Sequence, residues 1–143
     1  MWEAYAAATG RQARWSAWAF GGPSMPELAD ELAKLVVSGP KRATAGLLAE
    51  YERDGDPLPE VDEHSVVLDG SGRPACIIRA TQVELKRLGD VDEKFAWDEG
   101  EGDRTLAWWR EAHIRFFRGE GWDIDDDSTM VLTRFEKVWP VGD

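Results

Sequence analysis

A single cysteine, Cys76, among 143 residues has no partner for an internal disulfide and cannot complete a thiol-based zinc set. Histidine is nearly as scarce: His64 and His113 are the only two, and neither has the spacing of a zinc motif, so no zinc site is expected. Long apolar runs are missing as well. Leu35-Val36-Val37 and Ala75-Cys76-Ile77-Ile78 are typical, far below the roughly 20 residues that cross a bilayer, and no membrane partner is expected. The opening Met1-Trp2-Glu3-Ala4-Tyr5 lacks the basic leader and apolar stretch of a secretory signal, so a cytoplasmic location is expected. Positive charge is in deficit too: 17 basic against 28 acidic residues give a net charge of −11. Such a balance repels polyanions and argues against duplex DNA held on a basic face; any nucleic-acid contact has to be local. No G-x-S-x-G elbow, P-loop or dinucleotide fingerprint occurs, which removes the usual elements of serine hydrolases, NTPases and Rossmann enzymes.

What is present suits one domain over residues 1–143, with 43% hydrophobic and 31% charged residues to build a core and a solvated surface. The Ala- and Trp-rich stretch from Trp2 to Phe20 reads as an N-terminal helical extension over residues 1–20, interrupted at Gly10. Ser24-Met25-Pro26-Glu27 has the form of a capping box. Met25, Leu28, Leu32, Leu35 and Val36 then recur at helical spacing until Gly39-Pro40 stops them. The β-branched runs Ser65 to Asp69 and Ala75 to Val83, joined by Gly70-Ser71-Gly72-Arg73, predict a β-hairpin. Val131 to Trp139 predicts a closing strand. Leu106, Trp109, Ala112, His113, Phe116 and Phe117 predict a helix capped by Asp103 and ended by Gly119. Helices and strands at irregular spacing favour an α+β small barrel over a doubly wound sheet.

Two segments carry candidate chemistry. In Gly39-Pro40-Lys41-Arg42-Ala43-Thr44, two cations and a hydroxyl follow a helix within an acidic chain. A lysine there can present its ammonium to a phosphate or an oxyanion, or lose its proton if burial lowers its pKa; the plain alternative is a solvated helix end. In Asp98-Glu99-Gly100-Glu101-Gly102-Asp103, glycines alternate with acids able to act as a base, pair with Lys41 or hold a divalent cation; the alternative is a polar loop. Asp123 to Asp127 begins like a calcium loop, but Ser128 replaces the turn glycine and Arg134 the bidentate glutamate, so it reads as solvated loop. His113 falls on the apolar side of its helix and reads as a core histidine. Trp97, beside the acidic loop, is the tryptophan placed to stack a base.

The order Trp18-Ala19-Phe20-Gly21, Ala29-Asp30-Glu31-Leu32, Gly39 to Ala45, Val67-Leu68-Asp69-Gly70, Phe95-Ala96, Glu99-Gly100-Glu101-Gly102-Asp103 and Arg134-Phe135 resembles the ASCH-domain family, most of all its longer bacterial subgroup. The resemblance implies a PUA-like α+β fold, a small mixed β-barrel with flanking helices, and a cleft associated with RNA or nucleobase ligands. It implies two activities, cleavage of single-stranded RNA and hydrolysis of N4-acylated cytidine nucleosides; the leading expectation is an RNA- or nucleotide-binding hydrolase that cleaves single-stranded RNA, with the amidohydrolase as one alternative and an RNA or modified-nucleotide binding module without turnover as another. Gly39, Lys41 and Thr44 match the G-x-K-x-x-T motif of the amidohydrolases, and the family's glutamate falls on Glu99. Lys41, Thr44 and Glu99 are thus the expected catalytic residues, with Gly39, Arg42, Trp97 and Glu101 as substrate contacts. The resemblance fixes no cofactor, and a divalent ion near Glu101 is an open option. Val61-Asp62-Glu63 stands where many members carry V-G-D. Likeness to the longer subgroup favours the ribonuclease, whereas the acidic charge favours a small nucleoside.

Overall fold

The computed structural model describes residues 1–11, 14–21 and 24–140. In chain order the elements are α1 (Trp2–Thr9), β1 (Trp15–Ala19), α2 (Pro26–Ser38), β2 (Ala43–Leu47), α3 (Leu48–Asp54), β3 (His64–Leu68), β4 (Pro74–Arg87), a 3-10 turn (Leu88–Asp90), α4 (Glu93–Glu99), α5 (Leu106–Gly119) and β5 (Thr129–Trp139). The strands form one sheet in the order β1-β3-β4-β5-β2, with β1 parallel to β3 and every other pair antiparallel. The 14-residue β4 slips register against β5 at Ile77/Ile78 and at Ala80/Gln82. Such irregularities bend a strand and sharpen its twist, and here they curl the sheet into a half-barrel. No helix among the described residues is long and apolar enough to cross a membrane.

The expected hairpin is β3 and β4, and the expected closing strand is β5, paired to β4 on one side and to β2 on the other. The amphipathic helix is α2, which buries Ala29, Leu32, Ala33 and Val36 on a single face. Its start differs from expectation. Met25 is the N-cap and Pro26 the first helical residue, and no side chain caps the end. Proline is pre-shaped for the first helical position, so the helix begins one residue later than a Ser24–Glu27 box requires. The N-terminal reading is corrected as well: the helix stops at Gly10, in a left-handed conformation, and Trp15–Ala19 is a strand paired with His64–Leu68. Thr105, not Asp103, caps α5, its hydroxyl accepting from the Trp108 N–H; Asp103 in turn accepts from the Thr105 N–H and hydroxyl. Gly119 lies inside the helix as its last residue.

Three apolar clusters fill the layers. One packs α4 and α5 against β2 and β5 through Phe95, Trp109, Phe117, Met130 and Leu132. Another packs α2 on the opposite part of the sheet, with Val36, Val67, Ile78 and Phe135. It also holds Cys76, fully buried, whose thiol is pushed up to about 11 by burial. A smaller cluster docks α1 through Tyr5 onto Val66 and Ile77. There the Tyr5 hydroxyl meets His64 Nε2 at 3.2 Å, and His64 Nδ1 donates to the Asp62 carbonyl at 2.8 Å. Asp62 has φ 73°, a left-handed conformation that glycine adopts without cost. Its carboxylate pairs with Arg79.

The link that matters most for the site joins α4 to the segment after α2. The Arg42 N–H donates to the Asp98 carbonyl at 2.6 Å, and the Arg42 carbonyl accepts from Phe135 N–H at 3.0 Å. Gly100 (φ 69°) lies flat against this segment, and a Cβ there would run into the Pro40 carbonyl and the Lys41 amide. Gly100→Ala should therefore lower unfolding free energy by about 1–3 kcal/mol in urea titrations, through left-handed strain and the backbone clash combined. A change of a few tenths would show that α4 is not held against Lys41 in this way.

Candidate functional site

Lys41 arrives at the site by construction. Gly39 ends α2 with φ 118°, its N–H closing on the Leu35 carbonyl, and the Lys41 N–H reaches that same carbonyl at 3.2 Å. The side chain then runs inward and is 1% exposed. Its ammonium donates to Glu99 Oε2 at 2.8 Å, to Glu101 Oε2 at 2.7 Å and to the Ala43 carbonyl at 2.8 Å. Asp92 starts α4 by accepting from the Phe95 N–H, so the helix ends with Glu99 pointing into the core. The turn at Gly100 brings Glu101 back to the same ammonium, and Gly102 gives room for the Trp108 ring, which would collide with any Cβ there.

Glu99 is saturated. Besides Lys41 it accepts from Trp109 Nε1 at 3.0 Å and lies 3.2 Å from His113 Nε2, both on its other oxygen. His113 Nδ1 faces the Trp109 carbonyl at 2.8 Å, and the two rings stack with centroids 4.3 Å apart. A carbonyl at one ring nitrogen and a carboxylate at the other both accept, an arrangement that favours the imidazolium form of His113. Burial works against that charge, but Glu99 outweighs it and the His113 pKa is raised. Burial opposes ionisation of Glu99 also, yet Lys41 and His113 hold it well below the usual carboxylate range.

The Lys41 pKa is raised: desolvation pulls it down, and Glu99 and Glu101 together more than restore it. This corrects the expectation that burial frees Lys41 to act as a base. The proton moves instead at Glu101, which burial and the adjacent Glu99 push to about 7 against the opposing pull of Lys41. One carboxylate is thus locked as an anion, and its neighbour exchanges a proton near neutrality.

A cavity of about 230 Å³ opens over this cluster. Lys41, Thr44, Glu99, Glu101 and His113 form its polar wall, and Leu28, Leu32 and Phe116 from α2 and α5 form much of the apolar one. Four of the expected site residues, Lys41, Thr44, Glu99 and Glu101, therefore meet at one hollow. The other three do not line it. Gly39 shapes the turn before Lys41. Arg42 donates to the Val36 and Lys41 carbonyls, closing the end of α2. Trp97 is 56% exposed, with the Arg104 guanidinium 3.6 Å above its ring, and points away. His113 and Trp109 are the site members that the sequence left in the core; their spacing of four on one helix face is the signal that pairs them. Around Asp123 to Asp127 the acids serve local turns and pairs, Asp126 with Arg110 and Asp127 with Arg87. Groups of three or more metal-ligating side chains suited to an ion do not occur among the described residues.

A family model described as "ASCH domain" matches residues 16–139. Among solved structures, an ASCH domain from Lactobacillus crispatus JV V101 is 35% identical with a TM-score of 0.86, covering 96% of this chain and 91% of that one. A protein from Enterococcus faecalis V583 is 34% identical with a TM-score of 0.86, covering 96% of this chain and 85% of that one. A hypothetical protein at 11% identity and TM-score 0.56, covering 88% of this chain and 100% of that one, shares the fold alone. No curated protein matches the chain.

The titration of Glu101 has a signed consequence. A folded-state pKa of about 7, above the 4.5 ordinary for a glutamate, means that Glu101 binds more protons in the native state than in the unfolded chain between those values. Stability must then fall as pH rises through that window. Glu101→Gln should flatten this decline in urea titrations run at intervals from pH 4.5 to 7; an unchanged slope would place the titrating group elsewhere.

Proposed function

Since the chain belongs to the ASCH-domain family, whose fold is PUA-like, we propose that it is a hydrolase that cleaves the amide of a small, uncharged N4-acylated cytidine nucleoside. The observation that carries this reading is the pairing, at one cavity, of a fixed ammonium with a carboxyl that titrates near 7. Amide hydrolysis needs both: a cation to hold the oxyanion and one group that takes a proton and returns it.

The steps follow from which groups are charged. Glu101, as carboxylate, takes the proton of the Thr44 hydroxyl while Thr44 Oγ bonds to the acyl carbon. The carbonyl electron pair moves to oxygen, where Lys41 stabilises it. Collapse breaks the C–N bond, and protonated Glu101 gives its proton to the leaving exocyclic amine. Water, activated by the same carboxylate, then releases the acyl group from Thr44 as a carboxylic acid. Glu99 does not move a proton in this scheme. Together with Trp109 and His113 it holds Lys41 in place and keeps it charged. No metal ion is needed in these steps.

Single-stranded RNA is the second reading, favoured by the resemblance of the sequence to the longer bacterial ASCH subgroup. Glu101 would then deprotonate a ribose hydroxyl and Lys41 would face the phosphorane. Against it stands the charge of the site, two acids for two already paired cations, within a chain of net charge −11.

The test is hydrolysis of N4-acetylcytidine, followed by mass spectrometry, beside a single-stranded oligoribonucleotide. Lys41→Ala and Glu101→Gln should each lower kcat/KM by about 10²–10⁴-fold, the usual worth of an oxyanion donor or a general base. Thr44→Ser should retain activity that Thr44→Val loses, and rapid quenching should reveal an acylated Thr44. Cleavage of the oligonucleotide with the nucleoside untouched would select the second reading, and binding without turnover would remove both.

A further inference from the structure

A second, larger cavity of about 560 Å³ lies on the inner face of the curled sheet and shares only Thr44 and Ala45 with the Lys41 cavity among the described residues. Barrel interiors of this size are normally filled by large side chains. Here the inward positions hold Ser16, Gly46, Ser65, Ala80 and Thr133, one from each strand, and the space stays open. Ser65 and Thr133 are 6% and 9% exposed, and neither hydroxyl has a hydrogen-bond partner among the described residues. Every fully enclosed side-chain oxygen among those residues is partnered, so these two hydroxyls open onto the hollow. Polar groups this deeply placed are ordinarily met, and the occupant of the cavity has to meet them.

The charge of the lining sets the sign of that occupant. Asp56 and Glu63 stand exposed at the wall, and lysine, arginine and histidine are absent from the described lining. Tyr51 senses the resulting field. Its ring rests against Gly46, where a Cβ would come within 3.0 Å of it, and burial together with Glu50, Glu63 and Asp56 raises its pKa. Trp18, Ile78, Val131 and Phe135 supply apolar surface, and the faces of aromatic rings attract cations. An anion would meet two carboxylates without countercharge, and an apolar molecule would leave the hydroxyls unmet. A fully substituted ammonium has no hydrogen to give them. A primary ammonium fits every feature: its charge faces the carboxylates, its N–H groups donate to the hydroxyls, and its carbon body lies on the aromatic wall. Small-molecule sites usually measure roughly 300–1,000 Å³, so a body the size of a ring has room. We propose that this cavity is a binding site for a primary organic ammonium carried on a short apolar body, distinct from the chemistry at Lys41.

Calorimetric titration at pH 7 with four probes of similar shape separates charge from size. 2-Phenylethylamine should bind, 2-phenylethanol and the trimethylated ammonium of the same skeleton should bind at least about tenfold more weakly, and 3-phenylpropanoate should give no heat. Glu63→Gln, which removes one charge, and Thr133→Val, which removes only a hydroxyl, should each raise the amine Kd by about three- to tenfold, the scale of one hydrogen bond. Thermal unfolding checks that each variant folds, and Ser65→Ala replaces Thr133→Val if the latter does not. Absence of amine binding, equal binding of the alcohol, binding of the carboxylate, or an unchanged amine Kd in the folded variants would overturn the proposal. Equal binding of the trimethylated ion would overturn it too, by reducing the effect to the general attraction of a chain of net charge −11 for cations. These titrations involve no turnover, so their outcome is independent of the hydrolase activity proposed above.

Discussion

Everything at the centre of this protein depends on one buried ammonium. An unpaired lysine at 1% exposure would be untenable in a protein interior, and Lys41 is tolerated because two carboxylates and a carbonyl take its three protons. Each carboxylate needs its own compensation in turn. Glu99 finds it in Trp109 and His113; Glu101 is left with only part of what it needs, and its proton affinity rises. The cluster ties the end of α2 to α4 and α5, so the charges that stabilise this part of the fold are the same ones available for chemistry. Such an arrangement is poor economy for stability alone, since a hydrophobic replacement of similar volume often does as well.

Backbone geometry makes the cluster possible. Two carboxylates two residues apart would normally diverge, but Gly100 turns the chain sharply and presses it onto Pro40 and Lys41. Gly102 then admits the Trp108 ring against the main chain. The alternating glycines of the acidic segment are therefore contact points between elements, and its carboxylates have divided tasks: Asp98 pairs with Arg134, Glu99 and Glu101 with Lys41, and Asp103 holds the cap of α5.

Local signals in the sequence were enough for some of this. The turn Gly70 to Arg73 between β-branched runs is β3 and β4, and the three-and-four spacing ending at Gly39 is α2. The convergence of Lys41, Thr44 and Glu99 came from likeness to a family motif, because residues 58 apart in the chain leave no local trace of their contact. Where partners decide the outcome, the sequence was silent or misleading. The Trp15–Ala19 strand exists because β3 offers it a parallel edge, and a composition rich in Ala and Trp concealed it. Lys41 keeps its proton because of acids that only folding brings near. Trp97 faces outward under the Arg104 guanidinium, and the His113 pKa is raised because Glu99 reaches it. The hollow in the sheet is written in small residues spread over five strands, a pattern that becomes visible only once the strands are in register.

The lone thiol gives the molecule a built-in gauge. Cys76 sits at zero exposure in the middle strand of the sheet, among Val67, Ile78 and Phe135, with its ionisation suppressed by burial. A soluble disulfide or alkylating reagent can reach it only when the cluster it shares with α2 opens, so its labelling rate reports how often α2 and the β3–β4 hairpin part. Any compound that settles on the native state must slow that reaction in proportion to its occupancy. Ligands of this domain can thus be ranked with no assay of turnover at all.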